Sequence, residues 1–162
     1  MKKLRFLLNT VLNTLAGISF IAMVVLTCWQ VFTRYVLNHP SSWTEELVSY
    51  MFAWASLLGA SLVTGERGHM NIPVIVDRFS PSVQKVFHCI AEIIGFLFSA
   101  AILVYGGIQI SNLAMGQSTS SLAGLAVGVF YIILPICGIM NMLYTTINII
   151  EILNGTIEKG AE

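Results

Sequence analysis

Charge is scarce in this sequence. Only 10% of its residues are Asp, Glu, Lys or Arg, against roughly 25% in soluble domains. None lies between Glu92 and Glu151. That excludes a solvated exterior along most of the chain. The net charge is +0, so there is no basic face of the kind that binds nucleic acid. Cysteine is sparse as well. Cys28, Cys89 and Cys137 each fall inside an apolar run at unrelated spacings, which argues against a disulfide framework or a zinc site. They read as small apolar packing residues. Phosphate loops, Ser/His/Asp arrangements and clustered metal ligands are missing, so the chain reads as neither an enzyme nor a cofactor carrier. No Gly/Pro-broken pair of spans would cradle an ion, and no inverted repeat is apparent.

What is present is apolar. Hydrophobic residues make up 56% of the chain and mean hydropathy is +0.82. The apolar runs are long and continuous rather than alternating, which selects helices over strands. A bilayer core about 30 Å thick needs roughly 20 apolar helical residues, and in lipid only helices or closed barrels satisfy their own backbone. The reading is an all-α membrane protein with four transmembrane helices and short loops. It forms one integral membrane domain over 1–162, with spans at about 12–34, 44–65, 82–110 and 122–150. Ser42 with Glu45 three residues later forms a capping box at the second span, and Pro81 opens the third. The polar stretch 112–121 divides the third span from the fourth. Pro135 and Gly138 predict a bend in the fourth. The apolar start after Lys2, Lys3 and Arg5 is too long for a signal peptide and has no small-x-small cleavage site, so it reads as an uncleaved first span.

Four spans put both termini on one side. Seven of the eight basic residues lie on that side; only Arg34 lies opposite. The positive-inside rule then places the N- and C-termini in the cytoplasm. Between spans two and three, 70–79 is apolar but too short to cross, and reads as an interfacial amphipathic segment or an ordered loop.

Ionisable residues at membrane depth are functional candidates by default. Arg34 ends the first span, and Glu45 and Glu46 begin the second at the same surface. A pair of Arg34 with either carboxylate would staple the two helices; snorkelling to the interface is the plainer alternative. His88 and Glu92 share one face of the third span near its cytoplasmic end. Glu92 reads as a helix–helix hydrogen-bonding group toward His88, His69 or Arg67, or as a proton carrier, with the first favoured. Gly95 and Ser99 continue that face as small contact residues. Asn141, Thr145 and Asn148 form a polar stripe on the fourth span. Gly124-x-x-x-Gly128 and the pairs Ala55/Gly59 and Ser56/Ala60 offer small-residue packing faces. Trp43 suits an interfacial aromatic belt. Trp54 falls near mid-bilayer, where the reading is contact with another protein.

These residues carry a resemblance. Arg34-Tyr35, Asn38, Trp43-Thr44-Glu45-Glu46, Tyr50, Trp54 and Gly59-Ala60 form one block. Gly68-His69-Met70-Asn71-Ile72-Pro73-Val74, running on to Asp77-Arg78-Phe79-Ser80-Pro81, forms a second. Gly124-Leu125, Tyr131 and Pro135 form a weaker third. Together they resemble the small, DctQ-like membrane subunit of a tripartite ATP-independent periplasmic (TRAP) transporter. Ala126 stands where that family often has proline.

The resemblance implies a scaffold role in the bacterial inner membrane. A large multi-span, DctM-like subunit would hold the sodium ions and the organic acid (a dicarboxylate, or a sugar acid such as sialic acid) and move as an elevator. A periplasmic solute-binding protein would deliver the solute. The small subunit would pack beside the large one, amid membrane lipid, with no cofactor of its own. Two other classes compete. One is a haem-bearing oxidoreductase anchor, which needs two facing histidines where only His88 lies in a span. The other is a stand-alone small multidrug exporter using Glu92.

Overall fold

The computed structural model describes residues 2–39, 41–66, 81–119 and 124–153. Its elements are α1 (Lys2–Tyr35), α2 (Ser42–Gly65), α3 (Pro81–Phe98), a π-helical stretch (Ser99–Gly106), α4 (Gly107–Ala114), α5 (Gly128–Tyr131) and α6 (Ile133–Leu153). Among the described residues, four helical segments are long and apolar enough to cross a membrane: Arg5–Tyr35, Ser42–Gly65, Val83–Ala114 and Gly128–Leu153.

Helix α1 is one rod from Lys2 onward, so the polar lead-in before residue 12 continues the helix. Its 34 residues extend about 51 Å at 1.5 Å each, longer than a hydrocarbon core requires. It ends in a reversal at Asn38, whose φ of 51° lies in the left-handed region. Asn tolerates that region better than other non-glycine residues. The His39 N–H closes the reversal on the Thr33 carbonyl at 3.1 Å.

Helix α2 begins at Ser42, the residue expected to cap it. Ser41 is the N-cap and makes no side-chain cap bond. The capping box from Ser42 to Glu45 therefore does not form. Thr44 occupies the third helical position and donates its hydroxyl to the Ser41 carbonyl at 2.7 Å.

Among the described residues the fourth crossing segment starts at Gly128; residue 122 lies outside them. Ahead of it, 117–119 and 125–127 are joined: Thr119 N–H donates to the Leu125 carbonyl and Val127 N–H to the Gln117 carbonyl, both at 2.9 Å. Gly124, at φ 78°, makes the turn that L side chains resist. The helix is interrupted at Ile132, between α5 and α6. Pro135 lacks an N–H to reach back four residues, which accounts for the interruption.

Packing is sequential on one side and not on the other. α1 lies along α2, and α2 packs on α6; α3 and the π stretch also pack on α6, while α4 packs on α5. The fourth span is thus central. A third of its most apolar window (33%) is buried, against 11% for each other span. Leu12, Leu58, Cys137 and Tyr144 form the tightest part of the core. Many Phe, Ile and Leu side chains face outward. That is expected in lipid, which is as apolar as they are, so association rests on close packing and hydrogen bonds.

Close packing is set by particular glycines. A Cβ on Gly138 would come within 2.8 Å of the Leu103 and Val104 side chains, and one on Gly107 within 2.8 Å of Leu134. A Cβ on Gly128 would sit 2.4 Å from the Ser111 carbonyl oxygen. By contrast Gly59 meets nothing within 4 Å, and neither does Gly124. The Gly124/Gly128 and Ala55/Gly59 patterns therefore each fail at one glycine. The glycines at real contacts have no spacing signature of their own.

Candidate functional site

Three constellations of polar and aromatic side chains stand out, all inside the bundle. The first joins the start of α1 to the end of α6. Arg5 donates from Nη1 to Glu151 Oε2 at 3.1 Å and from Nη2 to the side-chain oxygen of Asn148. Asn148, itself fully buried, donates to the Thr64 carbonyl at the end of α2 at 3.3 Å. One turn away, the Tyr144 hydroxyl donates to Asn9 Oδ1 at 2.6 Å. Three helix ends are thereby tied at one end of the bundle. From sequence, Arg5 is only a flanking positive charge; its partners lie more than a hundred residues away, beyond any local pattern.

The second lies around the interruption of the fourth span. Tyr50 stacks on Phe130 with ring centroids 4.1 Å apart and planes 5° from parallel. The Trp54 indole N–H donates to the Phe130 carbonyl at 2.9 Å. Trp54 also packs on the core cluster. This corrects the reading of Trp54 as a contact for another protein. A helix interrupted ahead of Pro135 leaves carbonyls short of donors, and in lipid each needs a partner. Trp54 supplies one from α2.

The third is a cavity of about 410 Å³ between α2 and the third span, floored by α6. Its polar lining is Thr64, Glu92, Ser99, Asn141 and Thr145. Glu92 is 1% exposed and Asn141 9%. Thr145 turns its hydroxyl onto the Asn141 carbonyl at 2.9 Å. The Asn141 side-chain oxygen is buried without a hydrogen-bond partner. Ser99 opens the π-helical stretch, a rare geometry that recurs at functional sites.

The other sequence candidates are dispersed. Arg34 is exposed, and among the described residues it pairs with neither Glu45 nor Glu46; the one ion pair there is Arg5–Glu151. The staple between spans one and two is therefore replaced by apolar contact along α1 and α2. The reversal at Asn38 leaves the Arg34 side chain in the open. Glu46 instead accepts a long hydrogen bond from the Tyr50 hydroxyl at 3.5 Å. Trp43 is 41% exposed at the start of α2. His88 is half-buried, and no hydrogen bond joins it to Glu92 among the described residues. His69, Arg67 and the 70–79 segment lie outside the described residues.

A family model decides what this bundle belongs to. The model for the DctQ component of tripartite ATP-independent periplasmic transporters matches residues 23–155. The chain belongs to the DctQ family. That family consists of transporter components rather than enzymes. Among its relatives, a putative TRAP transporter small permease protein of Haemophilus influenzae is 30% identical over 141 residues, covering 86% of each chain. The sialic acid TRAP transporter small permease protein SiaQ of Vibrio cholerae is 28% identical over 106 residues, covering 65% of this chain and 61% of SiaQ. The sialic acid TRAP transporter permease protein SiaT of Haemophilus influenzae is 24% identical over 135 residues. There the match covers 83% of this chain but only 22% of SiaT. In that relative, the DctQ-like stretch is one part of a much longer permease.

Proposed function

We propose that this DctQ-family chain is the fixed scaffold subunit of a sodium-driven TRAP transporter that takes up an organic acid. The observation that carries the reading is the family match over residues 23–155 joined to a bundle that ties the polar groups at one of its ends to one another. Arg5, Asn9, Tyr144, Asn148 and Glu151 bond among themselves. Such groups stiffen the helices rather than line a route for solute. A stiff body beside the moving subunit gives it something to work against.

The large permease is the partner, as the SiaT match suggests, and a periplasmic binding protein delivers the solute. Sodium binds in the large subunit. The chain resides in the inner membrane with both termini cytoplasmic. That orientation is supported by the seven-to-one split of basic residues and by the meeting of α1's start with α6's end. Arg34, Trp43 and Glu45 are exposed at the opposite end of the bundle; their exposure supports a role in meeting the large subunit or the binding protein.

The test is reconstitution. Vesicles holding this chain with the large permease, given the binding protein and an inward sodium gradient, accumulate solute; omission of any component abolishes uptake. Accumulation by this chain alone refutes the scaffold role and favours the exporter reading. A haem absorbance band in the purified protein favours the anchor reading.

A further inference from the structure

The cavity floored by α6 has a chemistry that the bundle leaves incomplete. α2 and the third span both pack on the fourth, yet they close very little on each other. The gap between them has small residues on both walls, Ala60 on α2 with Ala91 and Gly95 on α3, flanked by the larger Leu57 and Phe98. Ala60 and Ala91 are exposed at its mouth. At its floor sits Asn141, near the middle of the fourth span. Its side-chain oxygen is an acceptor without a donor, and the residue is more than nine-tenths buried. A buried acceptor in the membrane core is costly to leave unmet. Lipid acyl chains carry no donor, and head groups do not reach mid-bilayer. Small walls permit close approach of a second helix, and Asn is one of the side chains that hydrogen-bond between membrane helices.

We infer that this gap receives a transmembrane helix of the large permease subunit, which presses a side chain bearing a hydrogen-bond donor (a hydroxyl or amide) onto Asn141. The inference rests on the scaffold reading above and names the surface that the reading needs. Continuity with a longer permease is on record in SiaT, where the matched stretch is 22% of the protein. A helix that crosses the mouth buries Ala60 and Ala91 and leaves the far face of α3 in lipid. Ile93, 50% exposed and turned nearly opposite the cavity-lining residues of α3, is the marker of that far face.

The experiment uses a photoreactive amino acid at single positions of the full chain, co-expressed with the large permease. Adducts to the large subunit are expected from positions 60 and 91 and not from 93. Asn141→Leu, which removes the acceptor and fills the floor, is expected to weaken retention of the large subunit about three- to tenfold. Circular dichroism of the purified chain confirms that this variant is folded. Ala60→Phe, which plugs the mouth from an exposed position, reproduces the loss without touching the floor. The inference is overturned if the large subunit co-purifies normally while positions 60 and 91 label only lipid or solvent. It is overturned equally if position 93 labels and the other two do not. Failure of the unaltered chain to retain any large subunit overturns the scaffold reading itself, and this inference with it.

Discussion

Gly65→Ala offers the sharpest test of how the bundle is held. Gly65 is the last residue of α2 and is buried. A Cβ there would lie 2.7, 2.8 and 3.0 Å from three ring carbons of Tyr144. The ring has no room to yield, because Tyr144 is fully buried and its hydroxyl is bonded to Asn9 on α1 at 2.6 Å. Overpacking of this kind costs about 1–3 kcal/mol, and loss of the Tyr144–Asn9 bond adds about 1 kcal/mol. Alanine returns at most about 1 kcal/mol through its better helix propensity. The net expectation is a destabilisation of about 1–3 kcal/mol, measured by denaturant unfolding in detergent micelles and followed by circular dichroism. In a Tyr144→Leu background the clash is gone, so the same substitution should cost less than about 0.5 kcal/mol. Such a difference between backgrounds is the signature of direct contact. The reasoning is refuted if Gly65→Ala is neutral in the unaltered chain, or if its cost is the same in both backgrounds.

Arg5→Ala should cost about 1–2 kcal/mol in the same assay, since it removes charge-assisted bonds to Glu151 and Asn148 that are partly screened from solvent; Arg5→Lys should recover only part, lacking the planar fork that reaches both acceptors. Trp54→Phe should cost about 1–2 kcal/mol by leaving the Phe130 carbonyl without its indole donor, and hydrogen exchange around residues 130–134 should quicken; unchanged exchange there would count against the bond. Arg34→Ala should leave stability within about 0.5 kcal/mol because its side chain is exposed and pairs with neither nearby carboxylate, while uptake by the assembled transporter should fall if Arg34 meets a partner chain. A large stability loss from Arg34→Ala would restore the staple to α2.

Much of the functional reading was open to inspection in the residues. The blocks around Trp43-Thr44-Glu45-Glu46 and Gly124-Leu125 carried the family, which the match over 23–155 bears out. The roles of single side chains were less legible. Trp54 stands out in the sequence, but its bond to the Phe130 carbonyl depends on an interruption 76 residues further on. Arg34 and Glu45 are both exposed, and the reversal at Asn38 fixes their separation, a geometry that no pattern of charges encodes. Glu92 and Asn141 stood out as polar residues in apolar runs. That they line one cavity depends on which faces of the third and fourth spans meet.

The sequence by itself determined that the chain is helical and that four of its segments are long and apolar enough to cross a membrane. Those properties follow from bilayer thickness and from the need of each backbone group to find a partner within its own segment, and both constraints are local. Tertiary structure alone decided that the fourth span is central, that Arg5 reaches Glu151 and Asn148, and which glycines touch a neighbour. Lipid rewards an apolar face no less than a neighbouring helix does, so hydropathy leaves the facing surfaces unmarked. The choice falls to shape at Gly65, Gly128 and Gly138 and to hydrogen bonds between residues far apart in the chain.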